Sequence, residues 1–308
     1  MIGKALVLIG TLVATVSGGS WPEARAEPAK TTAGIFVFGK DCVSGLQGGV
    51  LESCVQDKVR PDAATTYLDL LRLIYPDLKI DGTVSYSQPL RADIGGFGAM
   101  DAMPTAAGGA FSPLGAQQFL MLPESGRKRL LVLDPDRGTL ALLQVEPSPK
   151  LLDWIGVSQD QHVGLASEFP VLEVRSGEYV FLTNNWHFNS SEAFNIYNLF
   201  LIAKDRLSLV YDGPFLYSFN IPERQECRLD QRLASLQSLP ARHEGYSDLR
   251  MEVREERRCP KGEGEVIHGR RNFSLPLYWQ GSKGKYLGGS KELYRLNNCR
   301  REEWPRCP

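Results

Sequence analysis

The sequence predicts an α+β protein that is mainly β, with an antiparallel meander or sandwich-like sheet and one packed helix near the mature N-terminus. Two observations predict this class. Residues 178–220 are the richest apolar and aromatic stretch, and they divide into four strand candidates separated by turn-forming Asn, Ser, Asp and Gly. The clearest helical spacing of apolar residues falls much earlier, just after residue 60. The core must therefore be built on the meander, with the helix packed against the sheet.

The first residues have the features of a secretory signal peptide. Lys4 is positively charged, and residues 5–16 form an apolar run that is too short for a membrane span of about 20 residues. Ala24-Arg25-Ala26 then matches the small-x-small pattern of a cleavage site. We expect cleavage after Ala26 and a mature chain that works in the periplasm or outside the cell. An uncleaved anchor is the alternative.

All six cysteines follow this segment, and an even count behind a signal peptide predicts disulfides. Sequence neighbours close the shortest loops, so three local pairs are expected: Cys42–Cys54, Cys227–Cys259 and Cys299–Cys307. A zinc site is the alternative, but there is no CxxC and the four histidines are scattered. With no dinucleotide fingerprint or haem motif either, we expect no metal and no cofactor.

The chain divides into four segments by composition. Residues 1–26 are the signal peptide, and residues 27–94 contain a short strand at 34–38, a disulfide-closed loop and the helix. Residues 95–116 are rich in Gly and Ala without periodicity, which indicates a linker or a mobile loop. Residues 117–308 form the β-rich main domain with a disulfide-closed tail.

The helix is predicted to open at Pro61 or Asp62, where proline fits the first turn and aspartate can cap it. Apolar residues then recur at helical spacing on one face, and Pro76 ends the helix. This face should pack on the sheet. Its members are Ala64, Tyr67, Leu68, Leu71 and Ile74.

The first half of the β-rich segment predicts a strand at 118–122, followed by a hairpin of strands 129–133 and 139–145. The turn between them begins with Asp134-Pro135, and Gly138 can adopt a positive φ. Residues 150–156 are ambiguous between a short helix and a loop. A strand at 171–174 then leads into the meander, whose strands are predicted at 179–183, 196–203, 207–211 and 215–219.

The last third is less regular. Residues 223–239 have leucines at helical spacing and predict a weak helix, but the alternative is a strand whose Cys227 is bridged to a strand at 249–253. Residues 273–279 alternate apolar and polar side chains, and after a turn residues 286–287 pair back. A further short element at 291–296 closes the fold.

Charge is unevenly distributed. The net charge is −1, yet from Pro222 onward Lys and Arg outnumber Asp and Glu. A basic C-terminal third could contact an anionic partner such as lipid headgroups, a polyanionic glycan or nucleic acid. A solvated mixed surface is the simpler interpretation, since Arg and Glu interleave in residues 250–258. We expect weak contact with anionic surfaces, no nucleic acid partner and no membrane span after cleavage.

A polar and aromatic segment joins the first two meander strands and is the best candidate site. Loops held by a rigid sheet often carry binding groups. Trp186 could stack on a sugar or an aromatic ligand while Asn184 and Asn185 supply hydrogen bonds, and His187 and Glu192 could form an acid–base pair. A polar loop anchored by its aromatic residues is the simpler alternative.

Nucleophilic catalysis has little support, because there is no G-x-S-x-G elbow and the cysteines are expected to be oxidised. The sequence therefore indicates a non-catalytic module that binds a ligand or a partner. Two alternatives remain. One is an exported hydrolase of cell-wall or host polymers that uses carboxylate and histidine chemistry, and the other is an envelope scaffold.

Overall fold

The computed structural model shows a protein built mostly from antiparallel β-sheet, as predicted, and the described residues contain two helices where one was predicted. The predicted signal segment 1–26 and the predicted linker 95–116 lie outside the described residues. The structure describes residues 35–36, 58, 64–76, 78, 118–122, 128–135, 138–159, 162–188, 193–219, 227–262 and 264–303.

Helix α1 (Tyr67–Ile74) begins later than predicted, and it buries four members of the predicted apolar face: Tyr67, Leu68, Leu71 and Ile74. The fifth, Ala64, lies before the helix and is exposed. Its N-cap is Thr66, whose hydroxyl accepts from the Asp69 amide at 3.2 Å while the Asp69 carboxylate accepts from the Thr66 amide at 2.9 Å. This reciprocal capping box satisfies two amides that a helix start leaves unpaired. The backbone hydrogen bond from Thr66 holds the pKa of Asp69 below its usual value. The predicted start at Pro61 or Asp62 is therefore wrong, because the Thr-x-x-Asp spacing sets the cap.

The first sheet has five antiparallel strands in chain order. The helix packs on one of its faces, through a cluster that includes Leu70, Leu71 and Trp154. The predicted hairpin is confirmed, with Gly138 at φ 59° in its turn. The strands are β1 (Ile35–Phe36), β2 (Gln118–Met121), β3 (Lys128–Asp134), β4 (Thr139–Glu146) and β5 (Lys150–Gly156).

Strand β5 corrects the prediction of a short helix or loop for residues 150–156. It pairs antiparallel with β4 along most of its length. Trp154 packs toward the helix and Ile155 toward the second sheet, so both faces of the strand are covered. A strand that is buried on both faces loses the alternation of apolar and polar residues that identifies strands in a sequence.

The second sheet has ten antiparallel strands and contains the predicted meander, here β8 to β11. The path across it runs β15-β14-β13-β12-β11-β9-β8-β6, with β10 beside β9 and β7 beside β8. The strands are β6 (His162–Leu165), β7 (Leu172–Arg175), β8 (Glu178–Phe188), β9 (Ala193–Ala203), β10 (Arg206–Tyr211), β11 (Phe215–Phe219), β12 (Arg228–His243), β13 (Tyr246–Lys261), β14 (Gly264–Gln280) and β15 (Lys285–Gly288).

Strand β12 overturns the weak helix predicted over 223–239 and confirms the strand alternative. It pairs with β13 from Arg228 to His243, and the predicted disulfide Cys227–Cys259 joins the two strands. The hydrogen-bonded pairing of β12 with β13 therefore determines the structure here, although the leucines of this segment are spaced roughly as in a helix. Cys299 is also in a disulfide. Cys42, Cys54 and Cys307 lie outside the described residues.

The ten-stranded sheet curls so that its concave face encloses a large apolar core. Strand β10 lies close to β15, and β7 lies close to β13, although neither pair is hydrogen-bonded. Helix α2 (Lys291–Glu303) supplies Leu293 and Leu296 to the same core. The predicted apolar alternation over 273–279 is confirmed, since Phe273, Leu275, Leu277 and Trp279 all face inward.

The other face of β8 and β9 packs against the five-stranded sheet. Phe181 and Phe200 lie in this second core, opposite leucines of β3 and β4. Polar contacts also join the sheets: the Leu207 amide donates to the Asp153 carboxylate at 2.7 Å, and Arg129 lies 3.4 Å from the Asp205 carboxylate. Strands β8 and β9 are therefore held on both faces, which makes their ends rigid supports for a site. Within the described part of the chain, no helix is long and apolar enough to cross a membrane.

Candidate functional site

The predicted site residues lie on a strand rather than on a loop. Strand β8 continues through Asn184, Asn185, Trp186 and His187, because each of them pairs with a residue of β9. Glu192 lies outside the described residues. Since successive side chains of a strand point to opposite faces, the four residues separate into two pairs. Asn185 and His187 share the face of Phe181, toward the five-stranded sheet, and Asn184 and Trp186 share the other face.

Asn185 belongs to a buried polar cluster that the sequence did not indicate. Its Oδ1 accepts from the Gln159 amide at 2.9 Å. The Gln159 side chain in turn accepts from Asn198 Nδ2 at 3.0 Å, and Asn198 Oδ1 accepts from the Gly213 amide at 3.3 Å. Both asparagines are fully buried. This chain of bonds fixes the rotamer of Asn185 and ties β8, β9 and the segment after β5 together.

Two polar atoms in this cluster keep hydrogen-bonding capacity. Thr183 Oγ1 and Asn185 Nδ2 are buried, and neither has a partner in the described part of the chain. An unsatisfied buried polar group costs about 1–3 kcal/mol. Such groups in a folded protein indicate a place where a water or a group of a ligand can be bound.

A row of aromatic rings begins beside Asn185, on the same face of the sheet. The His187 ring stacks on Phe194 at 4.8 Å with an interplanar angle of 11°. Phe194 lies 5.5 Å from Phe215, and Phe215 lies 6.5 Å from Tyr217. We call these four rings the aromatic row. Phe215 is 43% exposed, so part of the row is open to solvent.

Trp186 and Asn184 belong to the opposite face. The Trp186 ring stacks on His162, its cross-strand partner on β6, at 5.3 Å. Asn184 lies opposite Tyr197, and burial raises the pKa of that tyrosine to about 12. Asn184 Oδ1 is buried with no partner among the described residues. The predicted joint use of Trp186 and Asn185 on one ligand face is therefore not supported by the strand geometry.

A histidine–carboxylate pair closes the β12–β13 hairpin, and the sequence analysis missed it. His243 Nδ1 lies 2.6 Å from Asp248 Oδ1. Asp248 is buried, whereas the His243 side chain is 53% exposed. A register shift in β12 between Ser238 and Arg242 leaves Asp248 opposite the irregular part of that strand. Bulges of this kind often re-aim side chains.

The residues that sequence reasoning missed carried only weak signals. Asn198 interrupts the apolar run of β9, and a polar residue inside such a run is a usable sign of a buried polar cluster. Phe194 and Phe215 gave no signal, because apolar residues at strand ends are ordinary. In the described residues, no group of three or more His, Cys, Asp or Glu side chains is placed to hold a metal.

Comparisons of the chain with protein-family models, with curated proteins and with solved structures find no match. A function for the chain therefore has to be argued from its own residues and their geometry.

Proposed function

We propose that the chain is an exported, non-catalytic module that binds a ligand at the aromatic row, which the buried Asn185 cluster adjoins and supports. The observation that carries this proposal is the row itself, four rings on three neighbouring strands that remain partly open at Phe215. The signal-like N-terminus and the Cys227–Cys259 disulfide support a periplasmic or extracellular location, since disulfides persist in oxidising compartments.

The chemistry of the row suits a ligand with flat apolar faces and hydroxyl groups, such as a glycan. Aromatic rings offer large apolar surfaces at a small cost in side-chain entropy. A few fixed polar groups beside an apolar surface are what orient a small ligand. Because β8 and β9 are packed on both faces, the rings are positioned before the ligand arrives, which lowers the cost of binding.

The first test is a glycan array of cell-wall and host oligosaccharides, followed by titration calorimetry with the strongest binder. Phe215→Ala should lower the affinity about tenfold, because an exposed stacking ring is lost. Tyr278→Ala is the matched control, since Tyr278 is 45% exposed and lies on β14, outside the row. It should bind as the unmodified chain does.

Two results would contradict the proposal. One is that no oligosaccharide binds the correctly oxidised chain. The other is that both variants bind equally well, which would mean that the ligand binds outside the aromatic row. Circular dichroism of both variants should be unchanged, because each ring is partly exposed and contributes little to the core.

Hydrolysis of an exported polymer is the alternative function, and the His243–Asp248 pair is the observation that favours it. A buried carboxylate on Nδ1 orients the ring and leaves Nε2 available as a general base toward water. On this alternative, the chain hydrolyses cell-wall polysaccharide and releases reducing ends. His243→Gln should abolish this release. His268→Gln is the control, because His268 is exposed on β14, and it should retain the release. A chain that releases no reducing ends leaves only the binding proposal.

A further inference from the structure

The outer face of β12, β13 and β14 carries arginines in cross-strand rows. Arg228 lies directly opposite Arg258, and Arg232 lies directly opposite Arg254. Like charges placed directly opposite each other destabilise antiparallel pairing. We call this surface the arginine face; its basic residues are Arg228, Arg232, Arg250, Arg254, Arg258 and Arg270.

Glu256 lies at the centre of this face and pairs with some of the arginines. It is buried, with Arg258 Nη2 at 2.5 Å and Arg270 Nε at 3.2 Å from its carboxylate oxygens. Burial pushes the pKa of Glu256 upward, but the arginines around it outweigh that effect and hold the pKa below its usual value. Arg258 and Arg270 are therefore occupied within the protein.

Arg232 and Arg254 are not occupied in the same way. Arg232 is 51% exposed and reaches Glu256 only at 3.9 Å. Arg254 is exposed and has no ion-pair partner among the described residues. One of these neighbouring guanidinium groups is weakly paired and the other is unpaired. Together they form a site for an anionic group that can accept hydrogen bonds from both.

The spacing of the arginines points to a polymer of anions. Arg250, Arg254 and Arg258 recur at every fourth residue of β13, which places them about 13 Å apart along the strand. Arg258 is occupied by Glu256, but Arg250 is 44% exposed and reaches Glu252 only at 3.9 Å. A chain with repeated charges can contact both Arg250 and Arg254, whereas one small anion cannot span the distance between them. Of the exposed large apolar residues in the described chain, Tyr278 and Leu287 lie opposite each other at the edge of this face, two residues beyond the pair of Arg250 and Pro276. None lies beside Arg232 or Arg254. These two arginines have no apolar anchor next to them, which suits a polymer in solution better than a lipid surface.

We propose that the arginine face binds a linear polyanion, a sulfated or phosphorylated glycan, that lies along the strands with Arg232 and Arg254 as its main contacts. The site is separate from the aromatic row and does not depend on the ligand proposed there. It gives the basic C-terminal third of the sequence a specific role on one face of three strands.

The test uses the oxidised chain and fluorescently labelled heparin as the sulfated probe. The double variant Arg232→Gln/Arg254→Gln should lower the affinity about 25-fold, about fivefold for each exposed charge contact. The slope of log affinity against log salt concentration should decrease in magnitude by about two, because two fewer counterions are released on binding. Arg242→Gln is the control for each single substitution: it removes one positive charge from an exposed arginine at the other end of β12 and should bind heparin normally, whereas Arg232→Gln alone should not.

Three outcomes would overturn the proposal. The double variant could bind heparin as tightly as the control, which would make the arginine face irrelevant. Vesicles that contain phosphatidylglycerol could bind with the same sensitivity to the double variant while heparin does not bind, which would identify a lipid surface instead. Inorganic phosphate at millimolar concentration could displace heparin completely, which would identify a site for a single small anion.

Discussion

Phe200→Ala is expected to lower the free energy of unfolding by about 3–5 kcal/mol, the usual cost of deleting a fully buried aromatic side chain. Phe200 is completely buried at the centre of β9 and stacks on Phe181 at 5.8 Å. It faces the five-stranded sheet, so its loss leaves a cavity between the two sheets that neither can close without moving the other. Urea unfolding followed by circular dichroism measures the change.

Leu287→Ala is the control for this prediction, since Leu287 is 40% exposed on the edge strand β15. It should cost less than about 1 kcal/mol. Equal losses in the two variants would mean that the interface between the sheets does not contribute more to stability than the edge of the molecule. Two separate unfolding transitions in the Phe200 variant would mean that the sheets unfold independently.

Removal of the Cys227–Cys259 disulfide is expected to cost about 3–4 kcal/mol. The bond closes a loop with a sequence separation of 32 residues, and the chain-entropy treatment of such a loop predicts this magnitude. It also joins the start of β12 to β13 near the β13–β14 turn, next to the row of Arg228 and Arg258. The double variant Cys227→Ala/Cys259→Ala should therefore unfold at a clearly lower urea concentration and bind heparin more weakly.

The reduced unmodified chain is the reference for this experiment. Reduction opens the disulfide of Cys299 as well, so it should destabilise the chain at least as much as the double variant. An unchanged urea midpoint in the double variant would show that pairing of β12 with β13 alone holds this end of the sheet.

The two proposed sites use different parts of the curled sheet and different chemistry. The aromatic row lies at the ends of β8, β9 and β11, whereas the arginine face covers the outside of β12 to β14. A glycan polymer that carries both neutral sugars and acidic groups could engage one site or the other. Phe215→Ala and the arginine double variant separate these contributions, because each leaves the other surface intact.

Some of the candidate site could be predicted from the sequence. Asn185 and His187 were identified as ligand-binding candidates because amides, rings and a carboxylate are concentrated in one short segment. Asn198, Phe194 and Phe215 come from other strands and Gln159 from the segment after β5, and one sequence does not show which segments become neighbours. The separation of Asn185 from Trp186 likewise follows only once this segment is known to be strand, because side chains of a loop need not alternate.

The sequence by itself determined the features that depend on local chemistry. These are the meander, the turn at Gly138, the alternation over residues 273–279 and the bridge between Cys227 and Cys259, each of which depends on neighbouring side chains or on a short loop. The tertiary structure decided the rest. Strand β5 is buried on both faces, so its sequence lacks the alternation of apolar and polar residues that identifies a strand. Strand β12 has leucines at helical spacing, and only its pairing with β13 makes it a strand. The burial of Glu256 among arginines also depends on register between distant strands, which only the folded sheet specifies.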